Sequence, residues 1–356
     1  MNARVVGVLL ILLVALGGGA LLVQQQQGAK SPDAGATLGQ PLLKDLQAAQ
    51  VAAIVIRQPK ETLTIARKDE RWTIAERGGF PADIDKVRGF VVQAISLKVG
   101  QSEPIGEKDR ARLLLDAGGT AIEFLGADGK PLARLTAGKK YFKTEPENPE
   151  KANGDGRYVM LAGDEKRVVV VSDPLAQAST RSADWISKAG FAAEKVKVME
   201  VRSPDGASWR IERSGDNADW KLAGARGDEK LDISRANAAS YSLSLIELAD
   251  VAPAGAKPEE TGLDKPTLVS ATTLDGLTYT LKVGKPSGDS FYASIAIAGE
   301  PKPEGKDAEE RLKKINERLP REKALAAHTL LIPKSKLEDI TRKRADLLLK
   351  KEEKKK

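Results

Sequence analysis

Cysteine and histidine, two residues often used in covalent catalysis and zinc binding, are nearly absent from this chain. There is no cysteine and one histidine, His328. Without cysteine there can be no disulfide, thiolate nucleophile or cysteine zinc site, and one histidine cannot form a histidine-rich metal site. A serine triad would need His328, but the chain has no Gly-x-Ser-x-Gly nucleophile elbow. We therefore predict that His328 is an ordinary strand-edge residue, with no catalytic residues, metal ligands or cofactor in the chain.

Two other patterns suggest ligand binding but depart from the motifs that bind ligands. Gly138-Lys139 and Gly284-Lys285 resemble the end of a phosphate-binding loop, but neither has the earlier glycine or the following Ser or Thr. Residues 153–156, Asn-Gly-Asp-Gly, lack the alternating oxygen ligands and the terminal Glu of a calcium loop. We predict turns at all three places. The chain has 50 acidic residues, so a hydrolase that uses two carboxylates about 5–9.5 Å apart stays open.

The elements that would position any site occur twice in the chain. The pattern hydrophobic-Arg-x-Pro, then Ile-x-Arg, then Trp-x-hydrophobic recurs after about 145–148 positions. The first copy contains Ile56-Arg57-Gln58-Pro59, Ile65-Ala66-Arg67 and Trp72-Thr73-Ile74, and the second contains Val201-Arg202-Ser203-Pro204, Ile211-Glu212-Arg213 and Trp220-Lys221-Leu222. Asp83-Ile84 and Asp128-Gly129 correspond to Asp232-Ile233 and Asp275-Gly276. We predict two tandem repeats, residues 49–185 and 186–345.

Each copy is predicted to contain short strands, then a helix, then a hairpin with an Asp-Gly turn. The first helix follows Pro81, which is placed at its start, and the second has Ser234 as N-cap. The predicted segments are strands 51–57 and 62–67, helix 236–248, hairpins 121–125/132–137 and 268–274/278–283, and a closing strand with a short helix at 168–178 and 329–341. Antiparallel strands with one packed helix in each copy predict an α+β fold.

The spacing of apolar residues predicts two further helices. Leu312, Ile315 and Leu319 lie on one face of a predicted surface helix on a stalked loop, within an insertion at about 300–325. A terminal helix is expected from residue 337 onward, with its apolar side at Leu337, Ile340, Leu347 and Leu348, running into a basic tail at 346–356. Trp72 and Trp220 are assigned to core packing, and Trp185 to packing between the copies.

The start of the chain is one uncharged apolar run, Val5 to Val23. As a helix its nineteen residues would reach about 28 Å, close to the roughly 30 Å hydrocarbon core of a bilayer. We predict a transmembrane anchor at 1–23 that contacts inner-membrane lipid through residues 5–23, and a flexible linker at 24–48. A cleaved signal peptide is the alternative, and both interpretations export the body. The prediction is a single-pass protein of the bacterial inner membrane with its body in the periplasm.

Charge and composition indicate which classes of binding partner to expect. The net charge of +7 is small beside the totals of 57 basic and 50 acidic residues, and such a balance is typical of a mixed-charge surface. Aromatic residues make up 4% of the chain, which argues against platforms for stacked bases, so no nucleic-acid partner is predicted. Attraction to an anionic envelope polymer or lipid remains the alternative.

These motifs, with Gly262-Leu263-Asp264-Lys265-Pro266 before the Asp275-Gly276 turn, resemble the bacterial family called domain of unknown function 4340. The resemblance extends over most of residues 50–345, and the first copy keeps only a trace of the Gly-Leu-Asp-Lys-Pro segment, at Ile105 to Lys108. It implies an envelope protein often encoded beside an ABC-type exporter of the gliding-motility kind, and it supplies no catalytic residues. We therefore expect a non-catalytic auxiliary subunit of an export or envelope complex, bound to protein partners.

Overall fold

A computed structural model describes residues 38–349 of the chain. The predicted anchor at 1–23, linker residues 24–37 and tail residues 350–356 lie outside the described residues. Within residues 38–349, no helix has both the length and the apolar character needed to cross a bilayer.

The strands of the described residues form two antiparallel sheets. The first sheet has the order β4-β3-β2-β1-β6-β7-β8-β9-β5, and the second has the order β12-β11-β10-β14-β15-β16-β17-β13. The first contains β1 (Ala53–Gln58), β2 (Glu61–Lys68), β3 (Arg71–Ile74), β4 (Phe80–Pro81), β5 (Val99–Pro104), β6 (Thr120–Leu125), β7 (Pro131–Tyr141), β8 (Gly156–Leu161) and β9 (Arg167–Val171). The second contains β10 (Val196–Arg202), β11 (Ser208–Glu212), β12 (Lys221–Leu222), β13 (Asp250–Val251), β14 (Thr267–Thr273), β15 (Thr278–Ser287), β16 (Ser290–Ala298) and β17 (Leu330–Pro333).

A small set of helices accompanies the sheets. They are α1 (Ile84–Ile95), α2 (Glu107–Arg112), α3 (Ile233–Ser242), α4 (Pro258–Thr261), α5 (Ala308–Ala324) and α6 (Lys334–Leu337). Short 3-10 turns occur at Ala48–Gln50, Ala75–Arg77, Ser182–Asp184, Leu325–Ala327 and Arg344–Leu347. Antiparallel sheets with a few helices confirm the predicted α+β class.

The strand orders of the two sheets correspond when each strand is numbered within its own sheet. When the two-residue β4 is left out and the strands of each sheet are ranked by their order along the chain, both sheets have the spatial order 3-2-1-5-6-7-8-4. Helix α1 follows the first three-stranded meander in the chain, and α3 follows the second. The predicted Asp-Gly turns close matching hairpins, with Gly129 and Gly276 at φ values of 74° and 89°.

Helices α1 and α3 begin alike. Asp83 Oδ1 accepts hydrogen bonds from the backbone N–H groups two and three residues later, at 3.0 and 3.4 Å. Asp232 Oδ1 does the same for α3, at 2.9 and 3.3 Å. The predicted N-cap at Ser234 is wrong, because Ser234 is already helical and its N–H is one of the capped donors. The predicted helical position of Pro81 is also wrong, since Pro81 pairs with Thr73 in β4.

The two Gly-Lys pairs lie in strands, so the predicted turn role is wrong. Gly138 is in β7 and Gly284 in β15. A Cβ on Gly138 would lie 2.2 Å from the carbonyl oxygen of Leu113, and a Cβ on Gly284 would lie 2.2 Å from that of Thr261. Leu113 is the C-cap of α2, and Thr261 is the last residue of α4. In both sheets, glycine therefore allows the carbonyl end of a short helix to approach the strand more closely than a side chain permits.

The contacts divide the chain into two compact units. Unit one contains residues up to Thr62 and Arg88–Thr180, and unit two contains Leu63–Val87 and residues from Arg181 onward. The core of unit one includes Phe90 stacked on Phe124, with ring centroids 5.9 Å apart. The predicted repeat boundaries follow sequence similarity, not contacts, and they stay predictions.

The core of unit two contains Phe191 stacked on Tyr279, with centroids 6.0 Å apart. Trp185 and Trp220 are also buried in this unit, and Trp220 Nε1 donates to Asn237 Oδ1 at 2.9 Å. Trp72 is half-buried in β3. Core packing is thus confirmed for Trp220.

The predicted terminal helix is wrong over residues 338–349. After α6 the chain turns, and Leu347 O accepts the N–H of Asp232 at 2.8 Å, while Leu349 N donates to Lys230 O at 2.9 Å. Leu337, Ile340 and Leu347 are buried. Their spacing resembled a helical stripe, but the chain buries them by folding back on unit two. Likewise residues 172–178 form bends and turns, not the short helix predicted there.

A charged groove beside helix α5 as the candidate functional site

Helix α5 lies in the connection between β16 and β17 of unit two. The helix predicted in the insertion is confirmed, with Ile315 and Leu319 buried and Leu312 half-buried. It therefore packs on unit two through an apolar stripe, and the predicted placement on a loop that projects from the fold is wrong.

A buried carboxyl group also holds α5 in place. Glu322 is 1% exposed. Its Oε1 accepts the backbone N–H of Ala192 at 3.1 Å, and its Oε2 accepts the hydroxyl of Tyr279 at 3.2 Å. Arg318 Nη1, one turn earlier in α5, lies 3.6 Å from Glu322 Oε1. Both carboxylate oxygens are thus satisfied, as a buried acid requires.

This burial shifts two pKa values in the same direction. Desolvation raises the pKa of Glu322, although the nearby Arg318 opposes the shift. The pKa of Tyr279 is also raised, first by desolvation and then by the negative charge of Glu322. Tyr279 therefore stays a neutral hydrogen-bond donor to Glu322, and this pair fixes α5 to β15.

Two clefts of about 430 and 300 Å³ are lined by successive parts of α5. Their floor is the segment 188–196, one wall is the end of α3 with the turn after it, and the other wall is α5. The wall residues from α3 and its turn are Ser240, Tyr241, Ser244 and Leu245, and those from α5 are Arg311, Lys314, Arg318 and Arg321. We call this the α5 groove.

Two large apolar side chains are exposed on the α3 wall. Tyr241 is 63% exposed and Leu245 is 62% exposed. Tyr241 lies in the last turn of α3 and Leu245 in the turn that follows the helix, and each lines one of the two clefts. An exposed aromatic residue beside an exposed leucine is typical of contact surfaces for proteins.

The α5 wall carries four basic side chains, three of which make ion pairs. Arg311 Nη2 lies 3.1 Å from Asp275, Lys314 Nζ lies 2.6 Å from Glu310, and Arg318 Nη2 lies 3.1 Å from Glu194. Arg311 Nε is buried without a hydrogen-bond partner within residues 38–349. Arg321 and Lys188 make no ion pair with any residue that the structure describes.

The end of the groove near β11 has a second basic cluster. Arg213 Nε donates to Val196 O at 2.8 Å, and its guanidinium lies 4.8 Å from the ring centre of Trp220. Asp216 neutralises it at 3.0 Å and also lies 3.7 Å from Lys195. This cluster closes the groove with paired charges.

His328 lies beside the closing strand of unit two. It follows the 3-10 turn before β17 and packs at a right angle against Phe80, with ring centroids 5.0 Å apart. Partial burial lowers its pKa. The prediction of a structural histidine beside the closing strand agrees with this position.

A buried serine network was missed by the sequence analysis. Ser182 Oγ donates to Asp250 Oδ1 at 2.7 Å and accepts from Arg77 Nε at 2.7 Å. The Ser182 hydroxyl is thus held between an acceptor, Asp250, and a donor, Arg77. The three residues are far apart in the sequence, so no local motif could have indicated the contact.

The described residues also contain no group of three or more His, Asp or Glu side chains placed to hold a metal ion. Asp155 accepts the N–H of Lys143 at 2.9 Å in the connection from β7 to β8. The Asn153 to Gly156 segment is thus the end of an ordinary loop, and Gly156 starts β8.

Comparison with known proteins gives one family. The family model described as Domain of unknown function (DUF4340) matches residues 72–266, more than half of the chain. The chain belongs to the DUF4340 family. The DUF4340 match runs from Trp72 to Pro266, so it includes the first helix and the Gly262 to Pro266 segment and ends before α5. No curated protein and no solved structure matches the chain.

Proposed function

We propose that this DUF4340 protein is a non-catalytic, membrane-anchored periplasmic subunit that assists an ABC-type export or gliding-motility-like envelope complex. It would act by binding partner proteins. The observation that carries the proposal is the α5 groove, where Tyr241 and Leu245 are exposed. The basic helix α5 that lines it lies in the connection between β16 and β17, and the corresponding connection of the first sheet, residues 162–166, has no helix. Aromatic and arginine side chains are enriched in the surfaces through which proteins bind one another.

We further propose that the two sheets descend from one duplicated unit. Their identical strand order supports this, as do the matched N-caps Asp83 and Asp232 and the matched glycines Gly138 and Gly284. Duplication followed by an insertion in one copy yields a scaffold with one specialised surface, which suits an auxiliary subunit.

The membrane location rests on residues 5–23. A single uncharged run of this length before a hydrophilic body is typical of an inner-membrane anchor with an exported body. An alkaline phosphatase reporter fused after Lys356 should be active, because that enzyme works only outside the cytoplasm. A reporter active only on the cytoplasmic side would contradict the location.

The proposed role is tested by purifying the tagged full-length protein from membranes in mild detergent. The expected result is co-purification of transporter subunits in stoichiometric amounts. The control is the same body with the anchor replaced by a cleavable signal peptide, which should recover less of the transporter. A full-length protein that purifies alone would contradict the role.

Binding to an anionic envelope polymer or lipid is the second candidate function, favoured by the basic row on α5 and the net charge of +7. Binding of this kind weakens steeply with salt because the Debye length shrinks from about 10 Å at 0.1 M to about 3 Å at 1 M. Retention on anionic vesicles that disappears at high salt would favour it over the protein-binding role.

A further inference from the structure

We propose that the α5 groove binds an acidic segment of a partner protein, with at least one large apolar side chain packed on Tyr241 and Leu245. This deepens the proposed function, on which it rests, by naming the chemistry of the partner. Tyr241, Leu245, Arg321 and Lys188 form the contact surface.

The shape of the groove fits one peptide segment. Its α5 wall extends from Arg311 to Arg321, ten residues of helix or about 15 Å. That length accommodates about three helical turns or about five extended residues of a partner. Tyr241 at the end of α3 and Leu245 in the turn after it line the clefts together with this row, so each can contact an apolar side chain of the segment.

The charge of the groove selects an acidic segment. Its lining includes seven basic side chains, Lys188, Lys195, Arg213, Arg311, Lys314, Arg318 and Arg321, and five acidic ones, Glu194, Asp216, Glu247, Asp275 and Glu322. Glu322 is buried and its hydrogen bonds are already made to Ala192 and Tyr279. Ion pairs neutralise five of the basic side chains, Lys195, Arg213, Arg311, Lys314 and Arg318, so Arg321 and Lys188 are the positive charges that a partner meets.

Two exposed basic side chains at one end of the α5 row have no ion pair. Arg321 and Lys188 line the same cleft as Leu245 and make no ion pair within the described part of the chain. Carboxylates of a partner would pair with them, and an arginine can bind a carboxylate through two parallel hydrogen bonds.

The test is photo-crosslinking in the membrane with the full-length protein. Benzoylphenylalanine replaces Tyr241, and the crosslinked product is sequenced by mass spectrometry. A partner segment rich in Asp and Glu with an adjacent large apolar residue supports the proposal. A lipid, a second copy of this chain, a basic segment, or no product at all overturns it.

Charge reversal provides the matched comparison. The double variant Lys188→Glu with Arg321→Glu should reduce the crosslink at least tenfold. The control double variant, Lys313→Glu with Lys323→Glu, makes the same change of charge at exposed α5 positions outside the groove. Equal crosslinking by the two variants would overturn the proposal, and thermal unfolding of both shows that each is folded.

A fluorescein-labelled peptide of alternating Glu and Leu residues at helical spacing provides a second, purified test. It should bind the wild-type protein at least tenfold more tightly than the Lys188→Glu, Arg321→Glu variant. A peptide with Lys in place of Glu should not bind, and anionic vesicles should not compete.

The groove and the proposed role can fail separately. Transporter subunits that co-purify equally with wild-type and groove variants would overturn the groove proposal alone. A wild-type protein that recovers no transporter but binds the acidic peptide through Arg321 would contradict the role in export and retain the groove.

Discussion

The two sheets differ in the connections between strands that otherwise have the same order. In the first sheet β7 and β8 are joined by residues 142–155 and β8 and β9 by residues 162–166. In the second, the corresponding connections are residues 288–289 and residues 299–329. The long connection has thus moved from one end of the sheet to the other.

This comparison shows which parts of the fold tolerate change. The capped helices and the strand glycines at the helix ends occur in both sheets because each solves a local packing problem. The connections lie outside the strand pairing, so they can be lengthened without changing the strand order. Helix α5 lies in one of these connections.

The largest expected effect on stability tests whether Gly138 and Gly284 have equivalent roles in the two sheets. Gly138→Ala and Gly284→Ala should each lower the free energy of unfolding by about 3 kcal/mol, because each new Cβ meets a backbone carbonyl at 2.2 Å. Urea unfolding measures both. Gly89→Ala in α1, where a Cβ meets nothing within 4 Å, is the control and should be neutral or stabilising. A large loss at only one of the two strand glycines would break the correspondence.

The next effect concerns a contact found in unit two alone. Glu322→Ala should lower the free energy of unfolding by about 2 kcal/mol, because it leaves Tyr279 and the Ala192 N–H unpaired in the interior. Glu317→Ala, at an exposed position of α5, should change little. Loss of α5 protection in hydrogen exchange would locate the effect.

The same residue gives a pH dependence. Because the folded pKa of Glu322 is raised, its contribution to stability is greatest below the ordinary glutamate pKa and declines as pH rises towards the folded value. Urea unfolding from about pH 4 to about pH 7 should show this decline relative to Glu322→Gln, which cannot titrate. A wild-type curve parallel to that of the variant would contradict the shift.

A smaller and symmetrical effect is expected at the two N-caps. Asp83→Ala and Asp232→Ala should each cost about 1 kcal/mol, since each removes a side-chain acceptor for two helical N–H groups. Asp83→Asn and Asp232→Asn should keep most of the stability, because the amide oxygen can still accept. Thermal unfolding of the four variants compares the helices, and a cost at one helix only would show that the caps are not equivalent.

The smallest effect on stability is expected at the exposed pair. Tyr241→Ser with Leu245→Ser should change the free energy of unfolding by less than about 0.5 kcal/mol, since both side chains are more than half exposed. Recovery of the membrane partner should nevertheless fall severalfold. A loss of stability without a loss of partner would mean that this surface serves folding.

The sequence predicted the elements whose signals are local. The hairpin strands next to Asp128-Gly129 and Asp275-Gly276 are found as β6 to β7 and β14 to β15, because an Asp-Gly turn demands a conformation that few other pairs adopt. Helix α5 was found from its apolar stripe. Strands β5, β8, β13 and β16 were not predicted, since their residues lack a clear alternation and are held by neighbours distant in sequence.

Composition and local pattern determined the absence of thiol chemistry, the α+β class, the paired motifs and the family of this protein. Tertiary structure alone decided that the carbonyl end of a short helix packs closely against each Gly-Lys glycine. It also decided that Glu322 is buried and that α5 and the end of α3 border one groove. The physical reason is distance along the chain. Close approach, burial and charge pairing depend on residues that are tens to more than a hundred positions apart, and periodicity and propensity report only on near neighbours.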